Sequence, residues 1–290
     1  MLFKNFFSNK IKMDEKSFQL GKKKIPEYLD DYFKLILEGN SLKDSFAIFF
    51  YMLGTPIRFL KRSLHILPKP KLIYGVTIKN KDGILFCGDS WLKTQGAISD
   101  YEIELRKYFN LNNGTFIDVG ANIGKYSIMI GRKSDSIKVI SIEASKETFE
   151  ILKKNIELNN LHNIIPFNIA ASDRKGVSDF YLDGNGFGTA SSLFEIKKQS
   201  KKIRVKTDTL DNVVKNLKIK KIRLIKMDVE GAEAKVLKGG IKLIERDKPR
   251  IIFEALNKKS FEECSKIFKK LNYKIKRIGP LDFFAEYHNP

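Results

Sequence analysis

The sequence predicts an α/β fold in which a mostly parallel, seven-stranded Rossmann-like sheet carries helices on both faces and ends in one antiparallel strand. Two observations indicate this class. From residue 115 onward, short runs rich in isoleucine and valine alternate with amphipathic helical patterns, which is typical of a parallel sheet covered on both faces. The last two apolar runs are joined only through Gly279 and Pro280. Because that connection is too short for a parallel crossover, the final pair should be antiparallel.

The strands and helices of this domain are expected to follow each other in a regular order. Buried strands are predicted in "TFIDVG", "KVISIEA", "NIIPFNIAAS", "IRLIKMDVEG", "PRIIFEA", "YKIKRIG" and "LDFFAEY". Helices are predicted in "IGKYSIMIGRK", "KETFEILKKNIELNN", "AEAKVLKGGIKLI" and "SFEECSKIFKKL", because their apolar residues recur with the helical period. We therefore expect one α/β domain over residues 101–290.

The chain before this domain has a different pattern. Residues 1–70 are predicted to form a helical extension that ends in a linker at Pro68 and Pro70, since proline excludes helix there. Within 71–100, an alternating pattern with a turn at "KDG" predicts a β-hairpin. One helix of the extension, "EYLDDYFKLILEG", should carry its apolar residues on a single face. These residues are Tyr28, Leu29, Tyr32, Phe33, Ile36 and Leu37.

Composition excludes a disordered or disulfide-rich chain. Hydrophobic residues make up 42% of the 290 residues, as in globular proteins, and Cys87 and Cys264 are too few for a disulfide framework. The segment "SFAIFFYMLGTPIRFL" is interrupted before it reaches the roughly 20 residues that cross a bilayer. The formal charge of +20 points to anionic partners. We expect a cytoplasmic protein, whose N-terminal helices are candidates for peripheral contact with the inner face of an anionic membrane.

The stretch "TFIDVGANIG" ends a predicted strand in a carboxylate and then supplies bare backbone. Ligands of open parallel sheets bind beyond the carboxyl ends of the strands. Asp118 closes the strand, Gly120 lets the backbone turn tightly, and Gly124 lets a ligand approach the start of the helix. Asn122 stands where a dinucleotide-binding G-x-G-x-x-G motif has its middle glycine, and asparagine tolerates a left-handed backbone.

Two further strand ends offer polar groups at the same edge. Glu143 ends the next strand, 25 residues after Asp118, about where such folds present an acid to ribose hydroxyls. The cluster from Ala171 to Asp173 is predicted to end the following strand and to meet an adenine edge. The three strand ends together predict a nucleoside pocket.

With these residues in view, the chain resembles the FkbM-type family of S-adenosylmethionine-dependent methyltransferases. The resemblance covers roughly residues 114–254, through "FIDVGANIGKYS", "ISIEAS", "AASDRKG", "TDTLDNV" and "IKMDVEGAEAKVLKGG". The family usually has Glu-Pro after its second strand, whereas this chain has Glu143 followed by Ala144. The N-terminal third matches no pattern of the family.

The resemblance implies S-adenosylmethionine as the cofactor and assigns roles to the motif residues. Asp118 and the backbone from Gly120 to Gly124 would hold the methionine part, Glu143 the ribose, and Asp173 with its neighbours the adenine. The charges agree with this assignment. Carboxylates complement the sulfonium and ammonium of this cofactor, whereas Asp118 would repel a pyrophosphate.

Acids at the ends of two later strands are the candidate catalytic residues. Asp228 and Glu230 follow "LIKM", and Glu254 closes "RIIFE"; a carboxylate there would take the proton of an acceptor hydroxyl, or would hold a divalent metal that lowers the hydroxyl pKa. Neither alternative is excluded by the sequence. Glu233 is expected to cap or pack. Three residues are expected to be structural or exposed rather than catalytic, namely His65, His162 and His288.

The insert "YLDGNGFGTASSLFEI" lacks the lysine of a Walker loop. It is interpreted either as a flap near the acceptor or as a plain surface loop.

Three functional hypotheses remain open at this point. The first is an O-methyltransferase that acts on a hydroxyl of a sugar, glycan or similar small molecule, because the resembled family is associated with such acceptors. The second is a methyltransferase for RNA 2′-hydroxyls, which the positive charge favours. The third is a binding protein that keeps the fold without catalysis.

Overall fold

The computed structural model describes residues 25–54, 71–99, 102–182, 201–217, 219 and 221–289. The helices in these ranges are α1 (Ile25–Leu37), α2 (Leu42–Leu53), α3 (Trp91–Gly96), α4 (Lys125–Gly131), α5 (Lys146–Leu158), α6 (Leu210–Leu217), α7 (Glu233–Lys238), α8 (Ile241–Asp247) and α9 (Lys258–Lys270). A 3₁₀ helix spans Ile103–Tyr108. The strands are β1 (Lys71–Asn80), β2 (Gly83–Ser90), β3 (Gly114–Val119), β4 (Ile137–Ile142), β5 (Ile164–Phe167), β6 (Ala170–Ala171), β7 (Gly176–Leu182), β8 (Lys201–Asp208), β9 (Ile222–Met227), β10 (Arg250–Glu254), β11 (Tyr273–Arg277) and β12 (Asp282–Tyr287).

The main sheet has seven strands in the order β11-β12-β10-β9-β3-β4-β5. Neighbouring strands from β10 to β5 are parallel, and β12 is antiparallel to both of its neighbours. This topology confirms the predicted fold, including the antiparallel last strand. The chain winds outward from β3 in one direction and from β9 in the other, so the carboxyl ends of β3 and β9 flank the crevice where such sheets bind ligands.

Helices cover both faces of this sheet. Along β3, Phe116 packs into the same apolar cluster as residues of α4 and α5. Its neighbour Ile117 points to the opposite face and packs with residues of α6, α7, α8 and α9. Five of the six residues of β3 are buried, which explains why the strand reads as a continuous apolar run rather than an alternating one.

The predicted strand "NIIPFNIAAS" is divided between two sheets, which corrects the sequence interpretation. Its first part is β5, at the edge of the main sheet, and β5 ends at Phe167. Its second part is β6, which pairs with β8 in a separate sheet of order β6-β8-β7. The cluster from Ala171 to Asp173 therefore lies at the end of β6 rather than at the end of the third parallel strand.

The predicted helix "AEAKVLKGGIKLI" is also two elements, because α7 ends and α8 begins at Gly239 and Gly240. A Cβ on Gly239 would lie 2.0 Å from the carbonyl oxygen of Ser172, so only glycine allows this approach. The side chain of Asp211 accepts hydrogen bonds from the first-turn N–H groups of Lys242 and Leu243. This contact, which comes from a distant part of the chain, caps the second helix.

The N-terminal helices pack on the β1–β2 hairpin. The carboxylate of Asp44 accepts a hydrogen bond from the N–H of Thr77 at 3.0 Å, and Glu38 accepts hydrogen bonds from Asn80 and Ser99. The helix expected in "EYLDDYFKLILEG" and the hairpin turn at "KDG" are confirmed. The linker predicted at Pro68 and Pro70 lies outside the described residues. Among the helices that are described, none is both long and apolar enough to cross a membrane.

Candidate active site

The loop after β3 is built for close approach of backbone to backbone. Gly120, Asn122 and Gly124 all have positive φ angles, of 79°, 52° and 93°. A Cβ on Gly120 would lie 1.9 Å from the carbonyl oxygen of Asp228, and the N–H of Asp228 donates to the carbonyl of Val119. The turn after β3 therefore lies directly against the end of β9, and glycine is required at position 120 by both conformation and contact.

Asp118 is a buried acid with one unsatisfied oxygen. Its Oδ2 accepts a hydrogen bond of 2.6 Å from the hydroxyl of Ser127, which in turn accepts one from Ser141. Its Oδ1 is buried and has no hydrogen-bond partner among the described residues. Burial raises the pKa of the Asp118 carboxyl, although the ammonium of Lys226 and the hydrogen bond from Ser127 oppose the rise. Such an oxygen is a binding point for a donor or a positive group.

Glu143, at the end of β4, organises the loop beside Asp118. One carboxylate oxygen accepts the N–H of Asn122 and the other accepts the N–H of Ser145, each at 2.9 Å. Burial raises the pKa of the Glu143 carboxyl, and these two N–H groups counteract part of the rise. Each oxygen keeps a lone pair for one further hydrogen bond. Glu143 is thus fixed in place and still able to accept hydroxyl donors.

Three acids meet beyond the ends of β9 and β10. Asp228, Glu230 and Glu254 each place one carboxylate oxygen within 4.8 Å of the others. Glu230 reaches this position from a left-handed turn, with φ of 54°. Asp282 lies opposite Glu254 in the pairing of β10 with β12, and burial raises the pKa of Asp282 to about 7. The sheet edge therefore concentrates negative charge.

Asp228 and Glu254 share one proton in a hydrogen bond. Burial and the charge of Asp228 raise the pKa of the Glu254 carboxyl far above its usual range. For Asp228, burial acts in the same direction, but the ammonium of Lys226 and the hydrogen bond from Glu254 outweigh it and hold the pKa below its usual range. Two carboxyl groups whose oxygens lie within 4.8 Å of each other resist being ionised together, because their negative charges repel. Glu254 carries the proton, and Asp228 is the ionised partner.

Lys226 is the cation of the site. Its side chain is buried, and its Nζ lies 3.1 Å from Oδ2 of Asp228 and 4.9 Å from the centre of the Tyr126 ring. It is also the register partner of Asp118 in the pairing of β3 with β9. Burial would lower the pKa of this amine, but the charges of Asp228, Asp118 and Glu102 raise it. Lys226 therefore stays charged between the two acids.

Comparison with known proteins identifies the family. A model of the methyltransferase FkbM domain matches residues 118–275, which is more than half of the chain. The chain belongs to this family. The resemblance found in the sequence motifs is confirmed.

Three curated proteins are similar to this chain, and each match covers only part of the relative's length. Methyltransferase sdnD of Sordaria araneosa is 28% identical over 160 residues, which are 45% of this chain and 62% of that protein. Methyltransferase 1 of Beauveria bassiana is 24% identical over 42% of this chain and 57% of that protein. A tRNA(Phe) (4-demethylwyosine(37)-C(7)) aminocarboxypropyltransferase of Methanocaldococcus jannaschii is 32% identical over 40% of this chain and 49% of that protein. The chain spans about half to three-fifths of the length of these relatives.

A solved structure of a methyltransferase FkbM from Methylobacillus flagellatus aligns with 90% of this chain and 59% of that chain. The TM-score is 0.45 and the sequence identity is 13%.

Within this FkbM domain, most of the predicted site residues lie at one edge of the sheet. The acids at positions 118 and 254 lie at the carboxyl ends of β3 and β10, and those at positions 143, 228 and 230 follow the ends of β4 and β9. Asp173 differs, because it follows β6 and is exposed. Its carboxylate accepts a hydrogen bond from Ser172 and forms an ion pair with Arg174. The residue that follows β5 is Asn168, whose amide donates to the carbonyls of Glu143 and Ala144. Because β5 ends at Phe167, the polar residue beside Glu143 is Asn168.

Glu233 is confirmed as a capping and packing residue. One of its oxygens accepts the N–H groups of Val229 and Gly231, and the other accepts the hydroxyl of Ser260. His162 and His288 are exposed, as expected, and His65 lies outside the described residues. The insert interpreted as a flap or a surface loop connects β7 to β8, and its residues 183–200 also lie outside the described ranges.

Two site residues were missed by sequence reasoning. Lys226 is a charge near the end of the strand "IRLIKM", after two apolar residues. A buried charge requires a partner of opposite sign, and that rule would have singled it out. Asn155 is fully buried on α5, and its amide donates to the carbonyl of Ile123 in the loop after β3 and to that of Phe86. No local sequence pattern indicates this second role.

Proposed function

We propose that this FkbM domain transfers the methyl group of S-adenosylmethionine to a hydroxyl of a sugar, glycan or similar small molecule. The observation that carries the proposal is the edge of the sheet, where buried acids surround a glycine turn and an ionised carboxylate lies beside a charged lysine. The sulfonium and ammonium of this cofactor are complementary to that edge, and a pyrophosphate is not.

The residues after β3 and β4 fit the cofactor. The buried Oδ1 of Asp118, which has no partner among the described residues, would accept a hydrogen bond from the ammonium of the methionine part. Glu143 would use its remaining lone pairs for the ribose hydroxyls. The glycines at 120 and 124 let this loop pack closely on the protein, because a Cβ at these positions would meet the carbonyl oxygen of Asp228 and Cδ1 of Leu152. When bound, the cofactor supplies a methyl group on a positively charged sulfur.

Asp228 is the proposed base for the acceptor hydroxyl. The hydroxyl becomes acidic only as its oxygen bonds to carbon, so a weak base that is always ionised is sufficient. Lys226 and the proton of Glu254 keep Asp228 in that ionised state. Glu230 shares the carboxylate cluster with Asp228 and would bind a second hydroxyl of a polyol acceptor. A sugar presents neighbouring hydroxyls of this kind.

A divalent cation is the alternative occupant of the three-acid cluster. Carboxylate oxygens are the ligands that Mg²⁺ and Ca²⁺ prefer, and one oxygen from each acid lies within 4.8 Å of the others. A bound cation would displace the proton of Glu254, so the two states exclude each other. Calorimetric titration of the purified chain with Mg²⁺ in two buffers of different ionisation enthalpy distinguishes the two states. Binding of the cation with release of a proton would show the metal-bound state, and no binding would leave the protonated one.

Cofactor binding is tested by calorimetry with S-adenosylmethionine and S-adenosylhomocysteine. We expect both to bind, and we expect Glu143→Ala to weaken binding by about tenfold or more, because a charged acceptor of hydrogen bonds is lost. Glu150→Ala, which removes an exposed acid of α5, is the matched control and should leave the dissociation constant unchanged. Equal constants for Glu143→Ala and the unmodified chain would remove Glu143 from the cofactor site.

The acceptor is tested by incubating the chain with methyl-labelled cofactor and a fractionated lysate, followed by mass analysis of the labelled products. Label in small hydroxyl compounds or glycans supports the proposal. Cofactor binding without label in any acceptor fraction and without formation of methylthioadenosine would identify a non-catalytic binding protein instead.

A second candidate function is RNA modification. It is favoured by the net charge of +20 and by the 32% identity to an archaeal protein named as a tRNA aminocarboxypropyltransferase. Mass analysis separates the outcomes, because an RNA product would carry either a methyl or an aminocarboxypropyl group. The cofactor product differs as well, since methyl transfer leaves S-adenosylhomocysteine and aminocarboxypropyl transfer leaves methylthioadenosine. A methyl label or an aminocarboxypropyl group that is found on RNA alone would overturn the small-molecule proposal.

A further inference from the structure

Helix α2 has two apolar faces, and only one of them is packed. Ala47, Ile48 and Tyr51 are buried in the core that α2 shares with the β1–β2 hairpin. The opposite side of the helix carries large apolar residues at intervals of four, three, one and three positions, which places them on one stripe. These residues are Leu42, Phe46, Phe49, Phe50 and Leu53.

Helix α1, which packs against α2, also exposes two large apolar residues, Phe33 and Leu37. We call these seven residues of α1 and α2 the apolar face. Most of the large apolar side chains that are exposed in the described part of the chain belong to it. Three of its rings contact each other, with Phe46 stacked on Phe50 and Phe49 edge-on to Phe50. Exposed apolar side chains gathered on two packed helices mark a site of interaction rather than ordinary surface.

Charged residues of both signs lie near the apolar face. Two of the acids are turned inward, because Glu38, which follows α1, binds Asn80 and Ser99, and Asp44 of α2 is buried. The lysines Lys34 and Lys43 are exposed, and Asp30 lies a turn before Phe33 at one end of the face. In the sequence, the stretches 1–24 and 55–70 on either side of the two helices are rich in lysine and arginine.

We propose that the apolar face docks on an anionic lipid surface. Its phenylalanine and leucine side chains would enter the boundary between headgroups and acyl chains, and the neighbouring basic residues would contact lipid phosphates, as in interfacial amphipathic helices. This inference does not depend on the proposed enzymatic activity. It assigns to α1 and α2 a second role besides covering the hairpin.

Sedimentation of the full chain with vesicles tests the docking. We expect binding to vesicles that contain phosphatidylglycerol, weaker binding to phosphatidylcholine alone, and a decrease as salt is raised. Phe50→Glu should weaken partitioning by about tenfold or more, because it removes an inserted ring and adds a repelled charge. Val177→Glu is the matched control, since Val177 on β7 has the same exposed fraction, 55%, as Phe50, and lies outside α1 and α2.

Two further measurements keep the test decisive. Circular dichroism and thermal unfolding should be the same for both variants, since each replaced side chain is exposed. Light scattering reports the oligomeric state. A dimer that Phe50→Glu dissociates, or equal vesicle binding by Phe50→Glu and Val177→Glu, would overturn the proposal, and so would a full chain that binds neither vesicle.

Discussion

At the scale of single residues, the chemistry of the site depends on one proton and one cation. Asp228 and Glu254 lie close enough to share a hydrogen bond, and Lys226 decides which of them is ionised because its Nζ lies 3.1 Å from Asp228. Sequence motifs indicated the two acids. They did not indicate that the acids have opposite protonation states, because that depends on the distance between strands that are remote in the chain.

Asp228→Asn is expected to abolish turnover and to leave the dissociation constant of S-adenosylmethionine nearly unchanged. The substitution removes the proposed base but preserves its shape. Asp179→Asn, at an exposed ion pair on β7, is the matched control and should retain full activity. Steady-state kinetics with the identified acceptor measure the effect, and comparable activity in Asp228→Asn would remove this residue from the mechanism.

Lys226→Met is expected to shift the pH dependence of turnover. The ammonium of Lys226 lowers the pKa of Asp228, so its removal should raise that pKa. Because the base must be ionised, activity should then be lost at a higher pH on the acid side than in the unmodified chain. Lys226→Arg keeps the charge and should keep the original acid limb. An identical acid limb in Lys226→Met would show that Lys226 does not control Asp228.

At the scale of elements, α5 connects the hairpin to the cofactor loop. The amide of Asn155 accepts the N–H of Phe86 and donates to the carbonyls of Phe86 and Ile123. Asn159, one turn later, makes the same pair of bonds with Ile84. The two side chains thus pair with β2 as a neighbouring strand would. The hairpin is in this way joined to the loop that follows β3.

Asn155→Ala is expected to destabilise the chain by about 3 kcal/mol, because it leaves buried backbone groups without partners. It should also weaken cofactor binding, since the carbonyl of Ile123 loses its donor. Asn113→Ala, in an exposed turn, is the control and should change stability by less than about 0.5 kcal/mol. Chemical denaturation measures both. Equal free energies of unfolding for the two variants would contradict this role of Asn155.

At the scale of the whole molecule, α1 and α2 belong to the same apolar core as the hairpin and helix α4. Leu35, Ala47 and Ile48 are at most 1% exposed and pack in the cluster that includes Phe116 of β3. The boundary at residue 70 that the sequence suggests remains a prediction about domains. The packing shows that the helices are bound to the rest of the molecule by buried contacts.

Removal of residues 1–54 is therefore expected to lower the free energy of unfolding by an amount on the order of 5 kcal/mol, because several buried apolar side chains are lost. Removal of residues 1–24 alone keeps α1 and α2 and is the control. Thermal and denaturant unfolding measure the difference. The same stability for both shortened chains would mean that the two helices are a separable extension.

The sequence by itself determined the features that depend on local pattern. The alternation of apolar strands and helices predicted the seven-stranded sheet, and the short link at Gly279 and Pro280 predicted its antiparallel end. The ligand-binding edge could be predicted from the glycine turn and the acids at strand ends, because the carboxyl ends of parallel strands meet at one edge of a sheet. The motifs also identified the family.

Tertiary structure alone decided the features that depend on contacts between distant segments. The carbonyl of Ser172 leaves space only for glycine at position 239, where one helix ends, and β6 pairs with β8 instead of joining the main sheet. The hairpin covers one apolar face of α2 and leaves the other exposed, although both faces carry large apolar residues. Lys226 stays charged inside the sheet because Asp228 lies beside it and a distant strand brings Asp118 close to it. Periodicity reports which residues are apolar, but burial and charge state depend on which segments meet in space.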